Sequence, residues 1–359
     1  PEALSAAQKA AEESAVLLKN NGILPLNNNS KLTVLVCGPM ANAPHEQNGT
    51  WCFDKDDAMT ITPMMAFREL AKEGKIRLIE QPGEHWSREF NKENISTLAR
   101  LAKQADVVLY FAGEESILSG EARCRAHLDL PGDQSQQLRA LKATGKPVVL
   151  TVMAGRPLCI GKDIELVDAV FYAFHGGTMQ GPALANLIMG KVAPSGRLPV
   201  TFPQAVGQIP IYYNRRPKAR NEGWFQGLYE DITNDPMYPF GYGLSYSKFE
   251  YGSMTVSADK VSADGKLYAE VTVKNVSDRD GMETVHWYIN DPYSKITRPV
   301  KELKFFEKKL IKAGESETFR FEIDPKRDLG FVNSKGEKYL DKGEYRIMVG
   351  DQTVSINVI

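Results

Sequence analysis

The segment DVVLYFAGEESILSGEARCRAHLDLPGDQ (106–134) joins an apolar run, which ends at Gly113, to a polar stretch. The run 106–113 is apolar at consecutive positions, which is typical of strands buried on both faces of a parallel sheet. The polar stretch holds three glutamates, two arginines and a histidine between residues 114 and 127. We therefore predict a loop at the carboxyl end of a strand, where open α/β sheets place their sites.

Similar apolar runs recur through the first 200 residues, at 32–38, 75–81, 147–155 and 169–176. Helical patterns alternate with them, around 3–19, 62–73, 93–104, 133–144 and 179–189. This alternation predicts an α/β fold, an αβα sandwich with a mostly parallel sheet, for residues 1–205.

Beyond residue 205 the pattern changes twice. Residues 206–247 are rich in Pro, Gly and aromatic residues, and they are too aromatic for a flexible linker. We predict an ordered connector there. Residues 248–359 alternate between apolar and polar positions in short runs, for example LYAEVTVKN (267–275) and METVHWYIN (282–290). That spacing predicts an all-β sandwich of about seven strands.

Composition excludes several classes of function. The 359 residues contain 44 Lys+Arg and 45 Asp+Glu, a formal net charge of -1, so no polyanion such as nucleic acid is expected as a partner. No run approaches the roughly 20 apolar residues that span a bilayer. Pro1 is an unusual first residue, so we expect a piece of a longer protein. The absence of a signal peptide therefore says nothing about the compartment.

Motifs for cofactors and metals are missing. VLVCGPMANAP (34–44) is a strand followed by a glycine turn, but it lacks GxGxxG, and no phosphate-binding loop or nucleophile elbow occurs elsewhere. The histidines and the four cysteines show no metal-ligand spacing. Cys37 lies in an apolar run and is interpreted as a small buried residue. A Cys52–Cys124 bridge is left open.

Carboxylates remain as candidates for chemistry. Asp54, Asp56 and Asp57 are interpreted as a solvated loop or a helix cap, and Glu114 and Glu115 as structural hydrogen-bonding groups directly after a strand. Another glutamate, Glu121, lies between Gly120 and Ala122, in a loop at the expected site edge. A general acid needs a carboxyl group on such a segment, with a pKa raised by burial or by a second carboxylate.

Six stretches resemble family 3 glycoside hydrolases, the β-glucosidase and β-xylosidase family, and most closely the bacterial periplasmic β-glucosidases. The segment SGEARCRAHLDLPGDQSQQLRALKATGKPVVLTVMAGRPL is similar to the family's acid/base region. The others are AAEESAVLLKNNGILPL, GTMQGPALANLIMGKVAPSGRLPVTFP, GQIPIYYN, DPMYPFGYGLSY and RPVKELKFFEKKLIKAGESETFRFEI. The similarity runs from about residue 5 to the end. It implies that residues 248–359 form a fibronectin type III-like domain.

The resemblance implies roles for particular residues. Glu121 matches the catalytic acid/base glutamate of a retaining mechanism with two carboxylates. Arg125 matches the arginine of the same motif, which braces the loop or reaches the substrate. The family usually has serine at Cys124. Trp51 is a second candidate substrate-binding residue, with burial as a structural tryptophan the alternative.

The resemblance also implies partners. The family's aspartate nucleophile lies in an N-terminal (β/α)8 barrel whose motif this chain lacks, so we expect half an active site that works against that barrel on an oligosaccharide or β-glucoside. No cofactor is implied. A periplasmic or secreted location is expected, and a second copy of the chain is kept as a candidate partner. The alternative is a non-catalytic carbohydrate-binding or interaction protein that retains the fold.

Overall fold

The computed structural model describes residues 2–26, 31–81, 86–217 and 229–359. It divides into two compact units, one of Pro1–Pro210 with Asp235–Tyr246 and one of Ile211–Asn234 with Ser247–Ile359. The predicted connector 206–247 is thus shared between the units, and its residues 218–228 lie outside the described part of the chain.

The first unit contains a six-stranded sheet with helices between the strands. The strands are β1 Val16–Asn20, β2 Thr33–Cys37, β3 Arg77–Gln81, β4 Val107–Gly113, β5 Val148–Met153 and β6 Ala169–Tyr172. The helices are α1 Glu2–Ser14, α2 Pro44–Gln47, α3 Pro63–Lys72, α4 Lys92–Ala102, α5 Gln134–Lys142, α6 Gly161–Ile164 and α7 Gln180–Ile188. The sheet order is β1-β6-β5-β4-β2-β3; all neighbours are parallel except β1, which pairs antiparallel with β6.

Alternating side chains of the strands build a separate core on each face of this sheet. Every residue of β4 is buried. Val108 and Tyr110 pack with apolar residues of α4 and α5, whereas Val107 and Leu109 pack with those of α3 and α7. Because both faces are covered by helices, the strands read as continuous apolar runs. The predicted αβα sandwich with a mostly parallel sheet is confirmed.

The N-terminal prediction was wrong in one respect. The predicted helix 3–19 ends at Ser14, and Val16–Asn20 form the antiparallel edge strand β1. Val16 and Leu18 enter the core on one face of the sheet and Leu17 enters the core on the other. A helix buries one stripe of side chains, whereas a strand buries alternate residues on opposite faces, so three consecutive apolar residues here favour the strand.

The second unit is all-β, as predicted. Its strands are β7 Phe249–Tyr251, β8 Thr255–Val256, β9 Lys260–Val261, β10 Leu267–Asn275, β11 Gly281–Asn290, β12 Glu302–Ile311, β13 Ser316–Ile323, β14 Phe331–Val332, β15 Lys338–Tyr339, β16 Gly343–Val349 and β17 Gln352–Val358. One sheet has the order β13-β10-β7 with β8 also paired to β10, and the other has the order β12-β11-β16-β17-β9. Their alternate residues meet in one core around the fully buried Trp287.

Candidate active site at the carboxyl end of the sheet

The loop that follows β4 begins at a glycine that no other residue could replace without rearrangement. Gly113 has φ +151°, and a Cβ atom there would lie 1.8 Å from the carbonyl oxygen of Met153 on the neighbouring strand. The close approach brings the start of the loop against the end of β5. Two glutamates, a 3₁₀ turn at Ser116–Leu118 and the segment 119–133 follow. The loop thus lies at the carboxyl edge of the parallel strands, where the sequence placed it.

Glu114 forms the buried base of this loop. Its side chain is fully buried, and its Oε1 accepts a hydrogen bond from Nη1 of Arg125. Arg156 Nε lies 3.2 Å from Glu114 Oε2, an ion pair whose atoms are not aligned for a hydrogen bond. Arg125 also donates to the carbonyl oxygen of Asp129, at 3.0 Å. Both contacts of Arg125 are within its own loop, and a contact with substrate stays a prediction.

Glu115 is a second structural carboxylate. It accepts hydrogen bonds from Ser87 Oγ at 2.8 Å and from Arg88 Nε at 2.9 Å, and its side chain is only 2% exposed. Burial on its own would raise the pKa of Glu115. The hydrogen bonds from Arg88 and Ser87 outweigh burial and hold the pKa below its ordinary value. Glu115 therefore stays ionised, in line with its interpretation as a structural group.

Glu121 lies at the exposed apex of the same loop. The residues on either side of it have positive φ angles, +105° at Gly120 and +58° at Ala122. Left-handed backbone on both sides makes a tight reversal, and only glycine adopts it without strain. Glu121 is thus the residue that the turn presents outward. Its carboxylate, unlike those of Glu114 and Glu115, is free to meet a ligand or another protein surface.

Residues from elsewhere in the first unit hold the two sides of the apex. Glu46 accepts a hydrogen bond from the backbone N–H of Ser116. Thr50 contacts the carbonyl oxygens of Ser116 and Ser119 through its hydroxyl group. Arg156 donates to the carbonyl oxygen of Leu118 and, at 3.4 Å, to that of Arg123. The apex is therefore supported before and after Glu121, by groups that sequence analysis did not identify.

Two exposed aromatic side chains accompany the apex. Trp51 is 60% exposed and Phe53 83% exposed, and their rings meet edge to face with centroids 6.1 Å apart. Trp51 Nε1 is 3.5 Å from the point where a Cβ atom of Gly120 would lie. The buried alternative for Trp51 is thus wrong. The sequence analysis did not identify Phe53 as a candidate, although a second aromatic residue two positions after Trp51 in a polar loop could have indicated an exposed aromatic pair.

The other acidic and thiol candidates have structural explanations. Asp56 accepts a hydrogen bond from the N–H of Ala58 and caps the 3₁₀ turn Asp57–Met59, which confirms a helix cap. Cys52 and Cys124 are both free and exposed, so the bridge left open is not formed. Cys37 is buried, as predicted, and burial raises the pKa of its thiol. Asp56 and Cys37 therefore have structural roles.

His175 lies beside this site without being part of its exposed surface. Its ring is 3.1 Å from the point where a Cβ atom of Gly49 would lie, and equally close to that of Gly155. Burial lowers the pKa of His175, against the opposing influence of Glu46. We interpret His175 as a packing residue.

Within the described ranges, no cluster of three or more His, Cys, Asp or Glu side chains could hold a metal ion. In the same part of the chain, no helix is both long and apolar enough to cross a bilayer.

Comparisons with known proteins match two regions of the chain. A family model described as glycosyl hydrolase family 3 C-terminal domain matches residues 15–246, more than half of the chain, and one described as fibronectin type III-like domain matches residues 283–353. The periplasmic beta-glucosidase of Salmonella typhimurium is 34% identical and matches 96% of this chain. A putative beta-xylosidase of Formosa agariphila is also 34% identical, over 98% of this chain.

A solved structure of a relative has the same fold as this chain. The crystal structure of the beta-glucosidase from Listeria innocua in complex with isofagomine has a TM-score of 0.91 and 34% identity, and it covers 99% of this chain. The chain spans 48% of the Salmonella relative and 50% of the Listeria chain, about half the length of each.

Proposed function

This chain belongs to glycosyl hydrolase family 3, and on that premise we propose that it is the part of a retaining β-glycosidase that supplies the general acid/base, Glu121. A single observation carries the proposal. Glu121 is the one glutamate of the loop after β4 that is exposed, and the turn presents it outward between two residues with positive φ angles. Glu114 and Glu115, its two competitors, are buried and paired with arginines.

The proposed reaction needs a second carboxylate from another domain. In a retaining mechanism that carboxylate attacks the anomeric carbon, while Glu121 donates its proton to the glycosidic oxygen and the leaving sugar departs. The glycosyl–enzyme ester is then hydrolysed: the Glu121 carboxylate takes a proton from water as the water oxygen attacks the same carbon. Glu121 ends the cycle protonated, as it began. The two carboxyl groups must lie about 5–5.5 Å apart.

We place the partner domain against the surface around the apex. Trp51, Phe53 and Ile117 are exposed there, Ile117 to 53%, and exposed apolar side chains that cluster mark an interaction surface. An N-terminal (β/α)8 barrel, as the family resemblance implies, would cover these residues and bring its aspartate towards Glu121. Trp51 would then lie at the mouth of the sugar site, where an aromatic face suits the apolar face of a sugar ring.

The proposed substrate is a β-linked glycoside, with glucose as the first candidate for the cleaved sugar. The beta-glucosidase names of the Salmonella and Listeria relatives support it, while the beta-xylosidase name of the Formosa relative keeps xylosides as the other candidate. A periplasmic or secreted location is proposed on the Salmonella name alone.

The test is Glu121→Gln in the protein that includes the partner domain. Loss of the proton donor should lower kcat for cellobiose about 10²–10⁴-fold, the usual contribution of general acid–base catalysis. Aryl glucosides should lose less, because their phenolate leaving groups need little protonation. Azide should restore deglycosylation, because it attacks the ester without a general base.

Glu165→Gln is the matched control. Glu165 is exposed at the end of α6, before the amino end of β6 and so at the opposite edge of the sheet. Glu165→Gln should leave the turnover of both cellobiose and aryl glucosides unchanged. If Glu121→Gln hydrolysed cellobiose at the normal rate, the acid/base assignment would be wrong, and Glu114 or Glu115 would become the candidate.

A further inference from the structure

One hydroxyl group from a remote part of the chain holds the backbone directly before Glu121. Thr50 Oγ1 contacts the carbonyl oxygen of Ser116, lies 2.9 Å from that of Ser119 and is 3.2 Å from Ser119 Oγ. Thr50 and Ser119 are 69 positions apart in sequence. A threonine hydroxyl has one proton, so it donates to one of these carbonyl oxygens at a time or shares the proton between them.

The methyl group of Thr50 contacts the next residue of the loop. A Cβ atom on Gly120 would lie 2.7 Å from Thr50 Cγ2, so the glycine backbone packs directly on that methyl group. Gly120 has φ +105° and is bonded to Glu121. Thr50 therefore acts on the loop in two ways: its hydroxyl sets the carbonyl groups of the preceding turn, and its methyl limits where the glycine backbone can move.

The other supports of the loop contact residues that are not bonded to Glu121. Glu46 holds the N–H of Ser116, and Arg156 holds the carbonyl oxygens of Leu118 and Arg123. Thr50 contacts Ser119 and packs on Gly120, the two residues that lead into Glu121. A change at Thr50 should therefore move the glutamate with the least disturbance to the rest of the loop.

We propose that Thr50 is a positioning residue that fixes Glu121 for proton transfer. This inference rests on the proposed function of Glu121 as acid/base. A misplacement of about 1 Å in catalytic geometry can cost about 10²-fold in rate, and catalytic groups need a supporting shell that keeps them within about 0.5 Å. Thr50 makes its contacts with the loop backbone, so it acts through Glu121.

The experiment compares Thr50→Val with Thr50→Ser in the protein that includes the partner domain. Valine keeps the shape and removes the hydroxyl, and serine keeps the hydroxyl. Thr50→Val should lower kcat for cellobiose about 10–100-fold with little change in KM, and should lower kcat for an aryl glucoside less. Thr50→Ser keeps the hydroxyl and loses only the methyl that packs on Gly120, so its loss of kcat should be smaller than that of Thr50→Val.

A double-mutant cycle separates positioning from general damage. If Thr50 acts through Glu121, adding Thr50→Val to Glu121→Gln should lower turnover no further, because residues that act as a unit are non-additive. Additive losses, or equal losses on both substrates with a raised KM, would overturn the inference. Thr50→Ala removes both groups without placing a methyl against the carbonyl oxygens, and it gives the same comparison if the valine variant fails to fold.

Failure of the inference can be told from failure of the proposed function. An impaired Glu121→Gln enzyme combined with an unaffected Thr50→Val enzyme would overturn the positioning role alone. A Glu121→Gln enzyme with normal turnover of cellobiose would overturn the acid/base assignment and, with it, the role of Thr50.

Discussion

The base and the apex of the loop after β4 use the same amino acid for opposite purposes. At the base, Glu114 and Glu115 are buried, and arginines and a serine surround their carboxylates. At the apex, Glu121 is exposed between two residues with positive φ angles. The difference lies in the backbone: a strand end directs its side chains into the protein, and a tight reversal directs its central side chain away. The carboxylates at the base are held by buried ion pairs, and the one at the apex is the proposed acid/base.

The largest effect on stability should come from Glu114→Gln. This change removes a buried charge that faces Arg125 and Arg156, and it leaves both guanidinium groups without their anion. Breaking a buried ion pair from one side costs about 3–5 kcal/mol. The two arginines are 17% and 20% exposed, so we expect the lower end, about 3 kcal/mol. Urea unfolding at neutral pH measures it.

Glu121→Gln is the control for that measurement. A surface substitution without buried partners usually changes the free energy of unfolding by less than about 0.5 kcal/mol. If the two variants lost the same stability, the distinction between base and apex would fail.

A smaller, pH-dependent effect is expected for Glu115→Gln. The pKa of Glu115 is lowered in the folded state, so its ionised form stabilises the fold above its unfolded pKa of about 4.3. That contribution is lost as the pH falls through the lower, folded pKa. At neutral pH the variant should lose about 1–2 kcal/mol, a modest value for a charged hydrogen bond because Arg88 is 53% exposed. Unfolding curves from pH 7 to pH 2 check the trend.

The sign of this prediction makes it easy to contradict. The difference between wild type and Glu115→Gln should be constant near neutral pH and should shrink in acid. A difference that grew in acid, or that was the same at pH 7 and pH 2, would show that Glu115 is not held in its ionised form.

A further effect on stability is expected at the apex itself, for Gly120→Ala. A left-handed backbone costs a residue with a Cβ atom about 1–2 kcal/mol. Gly145→Ala is the matched control, because Gly145 has φ +72° and no atom within 4 Å of the added Cβ. Gly120→Ala should lose about 1 kcal/mol more than Gly145→Ala, the lower end of the cost of overpacking, because the added Cβ would lie 2.7 Å from Thr50 Cγ2 and 3.3 Å from Thr50 Cβ.

Turnover should separate the two glycine variants clearly. Gly120→Ala must move either Thr50 or the backbone before Glu121, so it should lower kcat for cellobiose, whereas Gly145→Ala should not. Equal turnover in both variants would show that the apex tolerates movement and that its geometry does not matter for the reaction.

Local sequence patterns were enough to predict the layers of the first unit, the all-β second unit and the position of the candidate acid. Runs such as 107–113 are apolar at every position because the strand is buried on both faces, and that pattern is local. Glycine at 113 marked the strand end in the sequence, and in the structure it has φ +151°. Glu121 followed from its neighbours and from the family resemblance.

The edge strand, the supports of the loop and the different burial of its glutamates could not be predicted, because they depend on contacts between residues that are far apart in sequence. The strand Val16–Asn20 forms through pairing with residues 169–172, which overrides a plausible helical pattern. Thr50 contacts loop residues that are 66 and 69 positions away in sequence, and Arg156 contacts loop residues that are 38 and 33 positions away. Nothing in the local sequence distinguishes these two residues from other polar residues. The burial of Glu114 and the exposure of Glu121 likewise depend on which surfaces the folded chain brings together, because desolvation is a property of the assembled neighbourhood and not of the sequence position.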